Sequence, residues 1–148
     1  MKARTRARAV ALQALYEIDM VGHPPLLVIS NRLADNDLAE KMAEFVSQIT
    51  MGVWPIVVEL DQFIAEHAPE WPLDQVATVD RNILRIALWE FAVSENTPIK
   101  VAINEAVELA KTYGSDAAPS FVNGVLGSLA KHKNEIAQAV QSKDEESA

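Results

Sequence analysis

The chain contains no cysteine. That absence removes disulfides, thiolate metal sites and cysteine nucleophiles together. Its three histidines, His23, His67 and His132, form no metal-ligand pair at helical spacing. No glycine-rich phosphate loop, serine nucleophile elbow or zinc-protease pattern occurs. Glu105 and Glu108 stand three residues apart, but with no histidine partner they read as a solvated helix face. No catalytic residue, cofactor or metal is expected, and the chain is not expected to be an enzyme. No apolar run approaches the roughly 20 residues that cross a bilayer. The N-terminus is basic but lacks the apolar core and cleavage site of a secretory signal. A cytoplasmic location away from membranes is the expectation.

What the sequence does have is apolar mass. Of its 148 residues 49% are apolar, enough for a sizeable core in one domain or in two small lobes. The net charge of −8 argues at first against nucleic acid, but its distribution reverses the argument. Residues 1–8 carry Lys2, Arg4, Arg6 and Arg8 and no acid, which is +4 and leaves −12 for the remainder. A basic arm on an acidic body fits contact with an anion. On composition alone, a solvated basic terminus is the simpler reading.

The apolar pattern is helical almost throughout. Ala7, Val10, Ala11, Ala14 and Ile18 recur at spacings of three and four, predicting a long first helix over about 4–20. Gly22, His23, Pro24 and Pro25 end it. Residues 26–36 give no clear period and read as an irregular connection or short helical turn. Leu38, Met42, Phe45, Val46 and Ile49 predict a helix over about 37–51, and Pro55 fits the first turn of another that ends before Pro69. Trp71-Pro72 opens a short connection. Residues 76–94 are apolar nearly all round, the mark of a buried central helix. Thr97-Pro98 reads as an N-cap followed by proline, opening a helix that Gly114 closes as a C-terminal cap. Asp116 and Pro119 open the next, and residues 134–140 add a short one. The fold class is therefore all-α, a bundle of about seven helices in two halves with a long N-terminal helix. Residues 1–140 are expected to form the folded domain, and 141–148 a polar tail.

The second half carries specific blocks. They are Val79-Asp80-Arg81-Asn82-Ile83-Leu84-Arg85-Ile86-Ala87, then Pro98, then Lys100-Val101-Ala102-Ile103-Asn104-Glu105-Ala106-Val107-Glu108-Leu109-Ala110-Lys111, then Tyr113-Gly114, then Phe121-Val122-Asn123-Gly124-Val125-Leu126. With Arg6-Ala7-Arg8 and Gln13-Ala14-Leu15-Tyr16, they resemble the transcription antitermination factor NusB family over about residues 4–130. The resemblance implies two packed three-helix halves around the N-terminal helix. It implies binding to the single-stranded boxA RNA of ribosomal-RNA leader transcripts, together with NusE, a protein also found in the small ribosomal subunit. The complex acts on RNA polymerase and suppresses premature termination; the factor itself is a monomer or homodimer. A related domain begins certain ribosomal-RNA cytosine methyltransferases, but no cofactor-binding domain follows here, which favours a free-standing factor. The remaining alternative is a helical protein-interaction module without specific RNA binding.

Candidate residues follow from both readings. Arg4 and Arg8 share a helix face and Arg6 lies nearly opposite; all three can reach phosphates if the first turn frays. Thr5 interrupts the basic run that family members can carry. Gln13 lies seven residues beyond Arg6 and points the same way. Tyr16 is placed to stack a base or to pack half-buried. Lys100 and Lys111 extend a basic track, although Lys111 can equally pair with Glu108. Phe121 is offset from the core stripe of Val122 and Val125, so base stacking and core packing both remain open. The resemblance places Asp80 and Asp116 near NusE; Asp116-Ala117-Ala118 holds one acid where family members can hold two, and Asp116 also reads as a helix cap. For Asp80 an internal salt bridge is the competing role, since buried charges need partners.

Overall fold

The computed structural model describes residues 1–68 and 75–147, with side chains to residue 142. The expected helix end at Pro69 and the Trp71-Pro72 connection lie outside the described residues. Every regular element described is helical, as the pattern required, with eight α-helices where about seven were expected. Two compact units emerge, Met1–Pro55 and Ile56–Ala148. No helix of the described residues is long and apolar enough to cross a membrane.

In the first unit, α1 (Ala3–Val21) buries Ala7, Val10, Ala11, Ala14 and Ile18, the stripe its spacing predicts. It stops at Gly22, whose φ of 79° is left-handed and whose N–H donates to the Ile18 carbonyl at 3.0 Å. Residues 26–36 differ from expectation, because Pro25–Asp35 form a helix, α2. Pro25 starts it with a preset φ. Only Val28 and Ile29 are buried, while Leu26 and Leu27 face outward at 71% and 53% exposure. Those exposed leucines erase the apolar period that would have revealed the helix. Glu17 ties α1 to α2 by an ion pair with Arg32 at 3.0 Å. α3 (Glu40–Val53) buries Val46 and Ile49. Its Thr50 hydroxyl donates to the Val46 carbonyl at 2.8 Å, satisfying a buried polar group within the helix.

The second unit is organised by α5 (Thr78–Leu88), which packs against α4 (Val57–Glu66), α6 (Ile99–Tyr113) and α7 (Ala118–Ala130). Ile83, Leu84, Ile86, Ala87 and Leu88 of α5 are all buried, as its apolar circumference predicts. A π turn, Trp89–Val93, follows directly and closes with the Ser94 N–H donating to the Trp89 carbonyl at 2.9 Å. α8 (Lys133–Ser147) packs on that turn and buries Ile136 and Val140. It includes most of the segment expected to be a polar tail.

Two buried charges of this unit, Arg85 and Glu90, are accounted for locally. Arg85, 5% exposed at its side chain, donates from Nε to Asp61 Oδ1 at 2.7 Å and from Nη2 to Oδ2 at 2.6 Å. Its Nη1 donates to Asn82 Oδ1 at 3.0 Å. Glu90 accepts at Oε1 from the Thr97 hydroxyl at 2.9 Å. Thr97 therefore does not cap α6 as expected; Pro98 holds that position, with no side-chain cap bond. The buried carboxylate of Glu90 needs the hydroxyl more than an exposed helix end does. Asp116 makes no cap either, since α7 begins beyond Ala117 without one.

Candidate nucleic-acid interface

α1 presents the basic terminus. Its i, i+4 spacing sets Arg4 and Arg8 on one face, and α3 answers with Phe45 between them. The Arg4 guanidinium carbon lies 5.4 Å from the Phe45 ring centroid and that of Arg8 5.2 Å. Both are within the range of about 6 Å at which a ring face attracts a cation. The two arginines are not equivalent. Arg4 is exposed, whereas Arg8 is 3% exposed and so is not presented to solvent as a phosphate ligand. Arg6 is exposed and donates from Nη1 to the Asp37 carbonyl at 2.9 Å. Gln13 is half-buried farther along α1, and Tyr16 keeps 40% of its surface open, enough for a base to reach its ring.

In the second unit Lys100 is exposed on the first turn of α6. Lys111 is exposed near its end and pairs with Glu108 at 3.1 Å. Both partners of that pair are open to water, so it constrains Lys111 little. The structure then brings Asp80 and Phe121 together in a way their separation in sequence conceals. Both line a cavity of about 270 Å³ with Val76, Ala77, Ser115 and Ala117. Phe121 is half-buried there, between the two roles its position allows. Asp116 is exposed beside the cavity.

Asp80 is buried, and its Oδ1 has no hydrogen-bond partner. Among the described residues no salt bridge to Asp80 forms, contrary to the alternative expectation for a buried acid. Burial instead pushes its carboxyl above the ordinary aspartate range, because desolvation penalises the charged form. A carboxyl raised on folding adds stability below its unfolded pKa and loses it as pH rises through its folded pKa. Asp80→Asn is therefore expected to be more stable than the parent at pH 7, with the advantage disappearing toward pH 4. Chemical denaturation across that range checks it; an asparagine variant less stable at pH 7 refutes the desolvation argument.

Gly114 closes α6 as its C-terminal cap, as expected, its N–H donating to the Ala110 carbonyl at 2.9 Å, and it also packs tightly beside Asp80. Its φ is −92°, open to any residue. A Cβ there would lie 2.6 Å from the Ala118 Cβ, 2.9 Å from the Ala110 carbonyl and 2.9 Å from Asp80 Oδ1. The turn from α6 to α7 is closed against α5 too tightly for any side chain.

Sequence reasoning missed Phe45 and the Asp37 carbonyl. By its spacing Phe45 belongs to α3's apolar stripe, and nothing along the chain signals which residue of α3 lies opposite Arg4 and Arg8. A backbone carbonyl leaves no sequence signal.

Arg4, Arg6, Lys100 and Lys111 are thus exposed cations, and Tyr16 is partly open to solvent. Residues 5–131 match the model of the NusB family. The chain is 47% identical over 134 residues to the transcription antitermination protein NusB of Roseiflexus castenholzii, covering 89% of this chain and 94% of that one. Its fold superposes on the structure of NusB from T. maritima with a TM-score of 0.78 at 28% identity, covering 93% and 92% of the two chains. A crystal structure of antitermination factors NusB and NusE in complex with dsRNA matches with a TM-score of 0.79 at 26% identity, covering 94% and 98%.

Proposed function

We propose a function from one premise: the chain belongs to the NusB family. It is a bacterial transcription antitermination factor of the cytoplasm. With NusE it binds boxA-type single-stranded RNA of ribosomal-RNA leader transcripts and suppresses premature termination by RNA polymerase. It acts by binding, not catalysis.

One observation carries the RNA contact: the only stretch of concentrated positive charge, residues 2–8, presents Arg4 and Arg6 to solvent at the start of α1. Cations on phosphates release counterions and give salt-dependent affinity. Guanidinium planes also stack on unpaired bases, which favours single strands. Tyr16, Gln13, Lys100, Lys111 and Phe121 complete the proposed RNA set. Asp80 and Asp116 are the proposed contacts to NusE; the exposed charge of Asp116 suits a basic ribosomal protein, while Asp80 lies buried in the wall of the cavity.

Cooperation with NusE follows from charge. A body of −12 repels RNA at long range, and few cations oppose it. A basic protein docked on the acidic surface lowers that repulsion and lengthens the cationic track. Linkage requires that each ligand tighten the other by the same factor. The test titrates labelled boxA-type RNA, scrambled RNA and duplex RNA into the protein with and without saturating NusE, and into NusE alone. The expected result is that the heterodimer binds boxA RNA roughly 5- to 150-fold more tightly than either component. Binding no tighter than the better component refutes cooperation. Full NusE affinity with equal, weak binding of every RNA leaves only an interaction module.

A further inference from the structure

We propose that Phe45 is a positioning residue for the RNA contact: its ring holds the Arg4 guanidinium in place at the start of α1, with Arg8 as the buried anchor of the same ring. This rests on the reading of the N-terminus as an RNA-binding arm.

The three side chains form one cluster within the first unit. The guanidinium carbons stand 5.4 Å and 5.2 Å from the ring centroid, so the ring's negative face serves two cations one helical turn apart. Without the ring those like charges would repel across the turn. Arg8 is buried and spends its charge inside the protein. Arg4 is exposed. A guanidinium attracted to a ring at this distance still has N–H donors to offer, and these can bind a phosphate in bidentate fashion. A free arginine loses its rotamer freedom when it grips RNA; one already resting on a ring has lost much of it beforehand. Arg6 is fixed separately, by the Asp37 carbonyl in the connection preceding α3. Alternate arginines of α1 are thus set by two neighbouring parts of the same unit, and the arm is held ready instead of loose.

The test measures binding of a labelled boxA-type single-stranded RNA, with NusE saturating throughout, at several salt concentrations. The proteins are the parent, F45L, F45Y, R4A and the R4A/F45L double variant. Leucine keeps apolar volume without a ring, so F45L is expected to weaken binding about three- to tenfold and to lower the salt slope. F45Y keeps the ring and is expected to stay within about twofold of the parent. R4A/F45L is expected to bind as R4A does, because the ring acts through Arg4. Parent-like binding by F45L, an F45Y as weak as F45L, or losses that add in the double variant overturns the proposal. Parent-like binding by R4A overturns the arm reading itself and the proposal with it. If F45L does not fold, the Arg4 Nε–Hε resonance of the unsubstituted protein decides. A ring-current shift that persists with RNA bound supports the proposal, and an unshifted resonance overturns it.

Discussion

Asp61→Ala is expected to lower the melting temperature by about 10 °C or more, the largest single effect of any substitution considered. Arg85 lies almost wholly inside the second unit and is held by both carboxylate oxygens of Asp61. An arginine cannot shed its charge to escape burial. Removing Asp61 takes both carboxylate oxygens from that charge, while the contact with the amide oxygen of Asn82 stays. Breaking one side of a buried pair typically costs about 3–5 kcal/mol. The pair joins α4 to α5, so the loss also loosens the helix on which the unit is built. Thermal unfolding followed by circular dichroism checks it. The companion variant D61L/R85M removes both charges and is expected to recover most of the loss, since an apolar pair of similar size is often as stable as a buried ion pair. A melting point unmoved in Asp61→Ala would mean that water reaches Arg85 freely.

Gly114→Val is expected to cost about 3 kcal/mol, at the upper end for overpacking a close contact. The first added carbon already meets three atoms under 3.0 Å, and one of them is the Ala110 backbone carbonyl, which cannot rotate aside. The strain falls on the turn that carries Ser115 and Ala117 into the cavity beside Asp80 and Phe121. Stability and any NusE- or RNA-dependent property of that cavity are thus expected to fall together. Gly124→Ala is the control, because a Cβ there meets nothing within 4 Å. Equal stability of the two variants would sink the argument.

How far the sequence could be read depended on whether a feature was written along the chain or across it. α1 was legible because one face repeats at helical spacing. α5 was legible because even a helix buried on most sides declares itself by composition. α2 was hidden because Leu26 and Leu27 face solvent, against the rule that links apolar residues to the interior. Thr97 carried a genuine capping signal, but Glu90 competed for the same hydroxyl and won. The arginine arm was visible as charge; the burial of Arg8 was not, because it depends on where α3 crosses α1. Asp80 and Phe121 were each singled out, yet their shared cavity exists only once α5 and α7 are packed.

The π turn at Trp89–Val93 shifts the phase of the helix that it continues. One residue more than the α-helical repeat is accommodated there, and each residue is worth about 100° of rotation. A helical wheel drawn straight through 78–93 therefore places residues beyond Trp89 out of phase with those before it. Phe91 and Ala92, beyond the slip, are fully buried. The slip does not account for the apolarity of the stretch, because residues 82–88, all before it, are buried without a break. Substitutions on the two sides of Trp89 must be mapped on separate wheels.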